Sequence, residues 1–379
     1  MALDFPSSPN AGATYTASGV TWVWDGAKWE PSVIASGPFV PLSGATMAGP
    51  LLLFEDPQVP LEAVTKEYAD AIGNYAVGNS YASGYVNKFR NPGFDVWQRG
   101  NNLTGTTAGT WCADGWIVVT AAATCAVSHS GLLIAGASKN SMSIQGNTGV
   151  TGVTVMQRIE SIDAAILAGQ TCTFQMLIFN NSASPMVPVL SVSHPTTVDN
   201  FQSAAIPDLP STSLQSIPAG ANGIVSYTWN QPQASQNLGM VVFISFPGTN
   251  LNTTAQAIAI SMADIRVTPG LPVGLNNNPP PVEHRSYQAE WAYCQRYFQV
   301  GQLISGAVVS AASQTVYMSS LLPTPMRATP TIAPTSVNMN NLTGLAGGAY
   351  GGYTVYLQGT SIAAGAFVFV ASFTANAEL

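Results

Sequence analysis

Charge is what this sequence has least of. Only 8% of its 379 residues are Asp, Glu, Lys or Arg, against roughly 25% in an ordinary soluble domain. The seven Arg and four Lys are scattered and the net charge is −7, so no basic run exists to track nucleic-acid phosphates. Long apolar runs are missing too. A stretch such as "AAGAFVFVA" from Ala363 falls well short of the roughly 20 residues a membrane-spanning helix needs. The start, "MALDFPSSPN", has neither a basic n-region nor an apolar core, so no secretory signal is expected and synthesis is assigned to the cytoplasm. Cys112, Cys125, Cys172 and Cys294 lack metal-type spacing. Buried thiols are expected in that compartment, with a Cys112–Cys125 bridge between neighbouring strands as the alternative.

What replaces charge is Ser, Thr, Asn, Gln and Gly. A surface wetted by hydroxyls and amides can enter a subunit contact without stranding ions. That composition points to an oligomer or particle component rather than a diffusing enzyme.

Along the chain the dominant signal is β. "ATYTASGVTWVWDGAKWEP" alternates through Tyr15, Val20, Trp22 and Trp24 and turns at Asp25-Gly26, a hairpin signature. Its Trp residues are expected to form a tiny core; a stacking platform for sugars is the sharper alternative. Between Pro60 and Tyr75, the apolar residues Leu61, Val64, Tyr68, Ala71 or Ile72, and Tyr75 recur at helical spacing. The stretch is too short to be stable alone, so it must pack on something. From about 85 to 285, "QTCTFQMLIFN", "GMVVFISFPG" and "AIAISMADIRV" read as strands. In the last, Ile258, Ile260 and Met262 share one phase while Ile265 and Val267 take the other, which predicts a bulge or sheet edge near Asp264. Residues 268–284, rich in Pro, Gly and Asn, read as a linker. "SYQAEWAYCQRYF" then places Tyr287, Trp291, Cys294 and Phe298 on one helix face. Short strands resume to the end.

Catalytic patterns are not found. There is no phosphate loop, no nucleophile elbow and no H-E-x-x-H. His129, His194 and His284 stand far apart. Glycoside cleavage needs two carboxylates across a cleft. Glu160 with Asp163, and Asp95 with Asp114, are the pairs that could meet, but their spacing also suits turns and caps.

Four motifs then occur in order. "LSGATMAGPLLLFEDPQVPLEAVTKEYAD" (42–70) resembles the "GG-T-M-T-G-P-L … A-T-K-x-Y-V-D" connector of fibre proteins of tailed bacteriophages, with Ala48 and Ala69 as mild departures. Residues 5–31 are similar to a module near the start of such fibres. "NKFRNPGFDVWQRGNN" (87–102) and "WCADGWIV" (111–118) resemble the entry to their sandwich, although Gly115 replaces the usual basic residue. "VEHRSYQAEWAYCQRYF" (282–298) resembles the exit signature. "LPTPMRATPTI" (322–332) is also similar to the start of their distal domain, after which the likeness fades.

The resemblance implies a mainly β chain: a jelly-roll β-sandwich plus a C-terminal β-domain, with a short N-terminal β-unit and a short connector helix. The expected divisions are 1–36, 37–84, 85–285 and 286–379. It further implies a virion protein of tail, collar or head appendage, usually a homotrimer, held to other particle proteins through its N-terminal region and facing the host with its C-terminal part. Host-surface glycan is the expected partner, with no cofactor and no enzymatic activity. The alternatives are a purely structural collar, head or baseplate fibre and, less favoured, a polysaccharide depolymerase. "GGAYGGYTVYLQG" (347–359) supplies the candidate receptor contacts Tyr350, Tyr353 and Tyr356, with packing in the domain or at a trimer axis as the alternative. Leu61, Val64, Tyr68 and Ile72 are the candidate trimer contacts.

Overall fold

The computed structural model describes residues 4–17, 20–32, 86–131, 139–202, 205–235, 237–283 and 285–379. The chain separates into two compact units, Met1–Thr65 and Lys66–Leu379. The expected divisions at 36/37 and 84/85 fall outside the described residues.

The first unit contains an antiparallel three-stranded sheet, β1 (Thr14–Ala17), β2 (Val20–Trp24) and β3 (Trp29–Pro31). Asp25 closes the turn, its Oδ1 accepting the N–H groups of Ala27 and Lys28 at 2.8 Å each. Phe5, which the strand pattern does not reach, stacks on Trp29 at 5.4 Å and meets Trp22 edge-on at 5.3 Å. These rings pack on one another, as the core reading of the Trp residues expects.

The second unit begins with a two-sheet sandwich. Its strands are β4 (Asn102–Gly105), β5 (Thr110–Trp111), β6 (Trp116–Ala121), β7 (Cys125–Ser130), β8 (Ser141–Gln145), β9 (Gly152–Ile159) and β10 (Thr171–Asn181). β11 (Val189–Pro195), β12 (Ala205–Ser213), β13 (Asn222–Asn230), β14 (Met240–Pro247), β15 (Ala257–Val267) and β16 (Gly274–Leu275) follow. One sheet runs β16-β13-β10-β15-β8-β7-β4 and the other β12-β11-β14-β9-β6-β5. Burial alternates along the whole of β9 and along β10 from Met176 to Asn180, whereas Cys172 to Met176 are buried on both faces; Val155, Phe174, Met176 and Ile178 lie in the core. All four cysteines are buried and free, so the Cys112–Cys125 bridge is not formed. Burial pushes their thiols up, Cys112 to about 12 and Cys125 to about 11.

Three expectations are corrected. The phase change in β15 lies earlier than Asp264: Leu177 pairs Met262 and Ile178 pairs Ile260, so the bulge is at Ser261. Met262 therefore leaves the phase of Ile258 and Ile260 and faces outward. The expected linker at 268–284 is instead a strap on the outer face of the seven-stranded sheet. β16 within it pairs with β13, and Gln175 Nε2 donates to the Pro280 carbonyl at 2.6 Å. The helix Tyr287–Gln295 does not bury the expected face, because Tyr287 is half exposed and Phe298 begins the next strand. It buries Cys294 and Glu290.

The chain ends in a smaller sandwich of β17 (Phe298–Val309), β18 (Thr315–Leu321), β19 (Thr331–Asn340), β20 (Leu342–Tyr350), β21 (Thr354–Ser361) and β22 (Gly365–Asn376). Its sheets are β17-β22-β19 and β18-β21-β20. Val355, Leu357, Phe367, Phe369 and Phe373 fill the space between them.

Ion pairs join the two sandwiches. Glu160, just after β9, accepts hydrogen bonds from Arg296, Arg327 and Tyr297. Glu378 receives Arg90 at 2.8 Å and Arg99 at 3.0 Å, while Arg158 donates to the Leu379 carbonyl. The Arg90 guanidinium lies 3.6 Å from the Tyr297 ring centroid, and that of Arg99 lies 3.6 Å from Phe298. Arg285 holds the start of the helix through Glu290, and Arg266 pairs with Asp264 under the strap. Every arginine of the chain thus has an internal acceptor.

Candidate functional site: an aromatic face on the distal sandwich

On β21 the inward residues are Val355, Leu357 and Gly359, so Thr354, Tyr356, Gln358 and Thr360 face out. β18 places Tyr317 opposite Gln358 and Ser319 opposite Tyr356. β20 places Gly348 opposite Tyr356 and Tyr350 opposite Thr354. This register sets three tyrosines in a diagonal line. Tyr350 and Tyr356 centroids are 4.9 Å apart at 32°, and Tyr356 and Tyr317 are 6.0 Å apart at 60°. Tyr317 is 61% exposed and Tyr350 is 66% exposed.

The glycines of "GGAYGG" explain how a ring can lie there. A Cβ on Gly348 would stand 2.4 Å from Cζ and Oη of Tyr356, so only the bare backbone lets that ring extend across β20. Its neighbour Gly347 points the other way, where a Cβ would stand 2.6 Å from Ile332 Cγ2 in the core.

Of the expected contacts, the structure brings Tyr350 and Tyr356 together. Tyr353 sits in the turn between β20 and β21, well exposed but outside the line of rings. Tyr317 was missed, because it lies far off in sequence and only strand pairing delivers it. Leu61, Val64, Tyr68 and Ile72 lie outside the described residues.

The opposite outer face differs. Val300, Ile304 and Val308 of β17 and Val368 of β22 are each at least half exposed. Ile304 is paired with Val370, and Val368 with Gly306, so these side chains share the outward face of one sheet.

The carboxylates weighed for hydrolysis have internal partners. Asp163 accepts the Tyr293 hydroxyl at 2.5 Å and Asp95 accepts from Asn140 at 2.7 Å. Burial lifts Asp114 to about 6 against the pull of Arg99 and Gln98. Burial opposes the Glu160 charge as well, but Arg296, Tyr297 and Arg327 outweigh it and hold the group below the usual range. His194 Nδ1 lies 2.6 Å from Asp208, whose other oxygen accepts from Gln231. His129 rests against Trp97, with ring centroids 5.5 Å apart, and His284 lies outside the described residues. Among the described residues no three His, Cys, Asp or Glu side chains group as metal ligands. A concavity of about 360 Å³ lies beside the strap, floored by Leu177, Ile224 and Met262 and rimmed by Asn277 and Asn278; no sequence signal marked it.

No family model matches the chain, and no curated protein does. Among solved structures, the enzymatically active domain of tailspike protein 4 from bacteriophage CBA120 aligns at TM-score 0.33 and 12% identity, over 48% of this chain and 22% of its own. The C-terminal family 22 carbohydrate binding module of Clostridium thermocellum Xyn10B aligns at 0.31 and 10% identity, over 49% of this chain and 98% of that module. TmCBM61, solved with β-1,4-galactotriose, aligns at 0.29 and 10%, over 48% and 98%. This chain thus spans about a fifth of the tailspike domain.

Proposed function

We propose that the chain is a structural fibre or spike protein of a tailed-phage or phage-like particle, attaching it to glycan on a host surface. The observation that carries the reading is the tyrosine line Tyr317, Tyr356 and Tyr350, bordered by Ser319, Gln358 and Thr354. Aromatic rings cover the apolar faces of sugars while amides and hydroxyls bond their hydroxyls. The four sequence motifs in fibre-protein order support membership of a particle, with the first unit toward it and the distal sandwich outward.

The chain assembles as a homotrimer in this reading. The aliphatic face of Val300, Ile304, Val308 and Val368 supports self-association. It is apolar, as subunit contacts tend to be. It also carries no charge, so a second copy can meet it without setting like charges together. Three weak sugar sites would then act together.

Labelled electron microscopy of the particle, with antibody to residues 299–379, tests the placement. Label at the outer end of an appendage, together with protein that blocks particle adsorption to host cells, is expected. Label confined to the head shell, with no block of adsorption, favours the purely structural alternative. Light scattering tests the trimer: Ile304→Asp with Val308→Asp, or Leu61→Asp with Tyr68→Asp, should lower the mass. An unchanged trimer in both contradicts the assembly reading.

A further inference from the structure

Between Gln299 and Leu379 the sequence contains two charged residues, Arg327 and Glu378, and no histidine. Both are engaged at the joint, Arg327 with Glu160 and Asp199 and Glu378 with Arg90 and Arg99. The exposed surface of the distal sandwich is therefore uncharged across 81 residues. An acidic ligand would find no cation to meet it, and a basic ligand no carboxylate. Stripping an ionised group of water without a partner is costly, so this surface selects against charged polymers.

The tyrosine face is also not a second aliphatic patch. Its rings carry hydroxyls and alternate with Ser319, Thr354, Gln358 and Thr360, so an apolar protein surface laid on it would bury hydrogen-bonding groups without partners. Pyranose rings present C–H faces and a rim of hydroxyls, which match rings and amides in turn. Three rings in a diagonal line suit an extended chain of sugars better than a single one.

We infer that the Tyr317–Tyr356–Tyr350 face of the distal sandwich binds an uncharged polysaccharide, lying along the tyrosine line and recognised without ion pairs. This rests on the reading above that the distal sandwich touches the receptor, and it narrows the ligand to neutral hexose polymers rather than uronic or sialic acid polymers.

The test is affinity electrophoresis of the full chain through gels containing dextran, mannan or amylose, and through gels containing polygalacturonate or polysialic acid. Retardation by a neutral polymer, reduced at least tenfold in affinity by Tyr356→Ala, is expected, with no retardation by the acidic ones. Tyr353→Ala, outside the line, should keep the affinity within about twofold. Retardation by the acidic polymers alone, still lost in Tyr356→Ala, would overturn the uncharged-ligand inference while leaving the tyrosine face as a glycan site. No retardation by any polymer, with the variants folded by circular dichroism, overturns both.

Discussion

The joint between the sandwiches and the outer faces of the distal sandwich differ in where charge is spent. Arg90, Arg99, Arg158, Arg296 and Arg327 crowd the joint against Glu160, Glu378 and Asp199. The distal faces have none. A buried ion pair is a poor way to gain stability but a directional one, because bidentate guanidinium bonds hold two surfaces in one relative orientation. A surface that must meet a neutral ligand gains nothing from charge. Charge is therefore uneven: nearly absent distally, while five of the seven arginines sit at the joint between the two sandwiches.

Breaking the joint should have the largest effect. Glu160→Ala takes the carboxylate from Arg296 and leaves Arg327 with Asp199 at 3.7 Å and the Ala377 carbonyl. Removing one partner of a buried pair costs ~3–5 kcal/mol, less for the partly exposed Arg296. Calorimetry should then show the distal sandwich melting apart from the first one. Retention of a single unchanged transition would mean that the ion pairs do not couple them.

Asp114 gives a second handle on the joint, through pH. Its folded value of about 6 lies above the ordinary 3.8, so folding favours the protonated form. The contribution is complete below 3.8 and is lost as pH rises through 6. Relative to Asp114→Asn, the wild type should lose on the order of 3 kcal/mol across that window, at ~1.4 kcal/mol per pH unit. A difference in melting temperature that does not change between those pH values would contradict it.

The adjacent glycines sharpen the contrast on the distal side. Gly347→Ala drives a methyl into Ile332 and should cost about 1–3 kcal/mol by overpacking, leaving sugar binding intact at temperatures where the protein is folded. Gly348→Ala displaces the Tyr356 ring and should weaken binding several-fold, with little change in melting temperature. Equal effects of the two on binding would mean that the tyrosine line is not the site.

Much of this was legible in the sequence, but unevenly. Period-two alternation in the sequence marks β10, and Asp25-Gly26 marks the β2–β3 hairpin, because both signals are local. Tyr350 and Tyr356 are near neighbours and could be paired on paper, whereas Tyr317 reaches them only through the pairing of β18 with β21. The helix Tyr287–Gln295 misled because its packing is polar: Glu290 accepts the Asn91 N–H and Arg285, which apolar periodicity cannot report. Gly115, where the resemblance expects a basic residue, has a reason that only contact shows. A Cβ there would stand 2.6 Å from Arg90 Nε, so the glycine makes room for the arginine that pairs with Glu378.

The most direct test of an uncharged recognition face is the salt dependence of binding to a neutral polysaccharide that the protein retains. Contacts made by rings and hydroxyls should leave affinity unchanged from low to high salt, while ion pairing is screened over a Debye length of ~10 Å at 0.1 M. A flat salt profile is predicted. An affinity that falls steeply with salt would contradict the account.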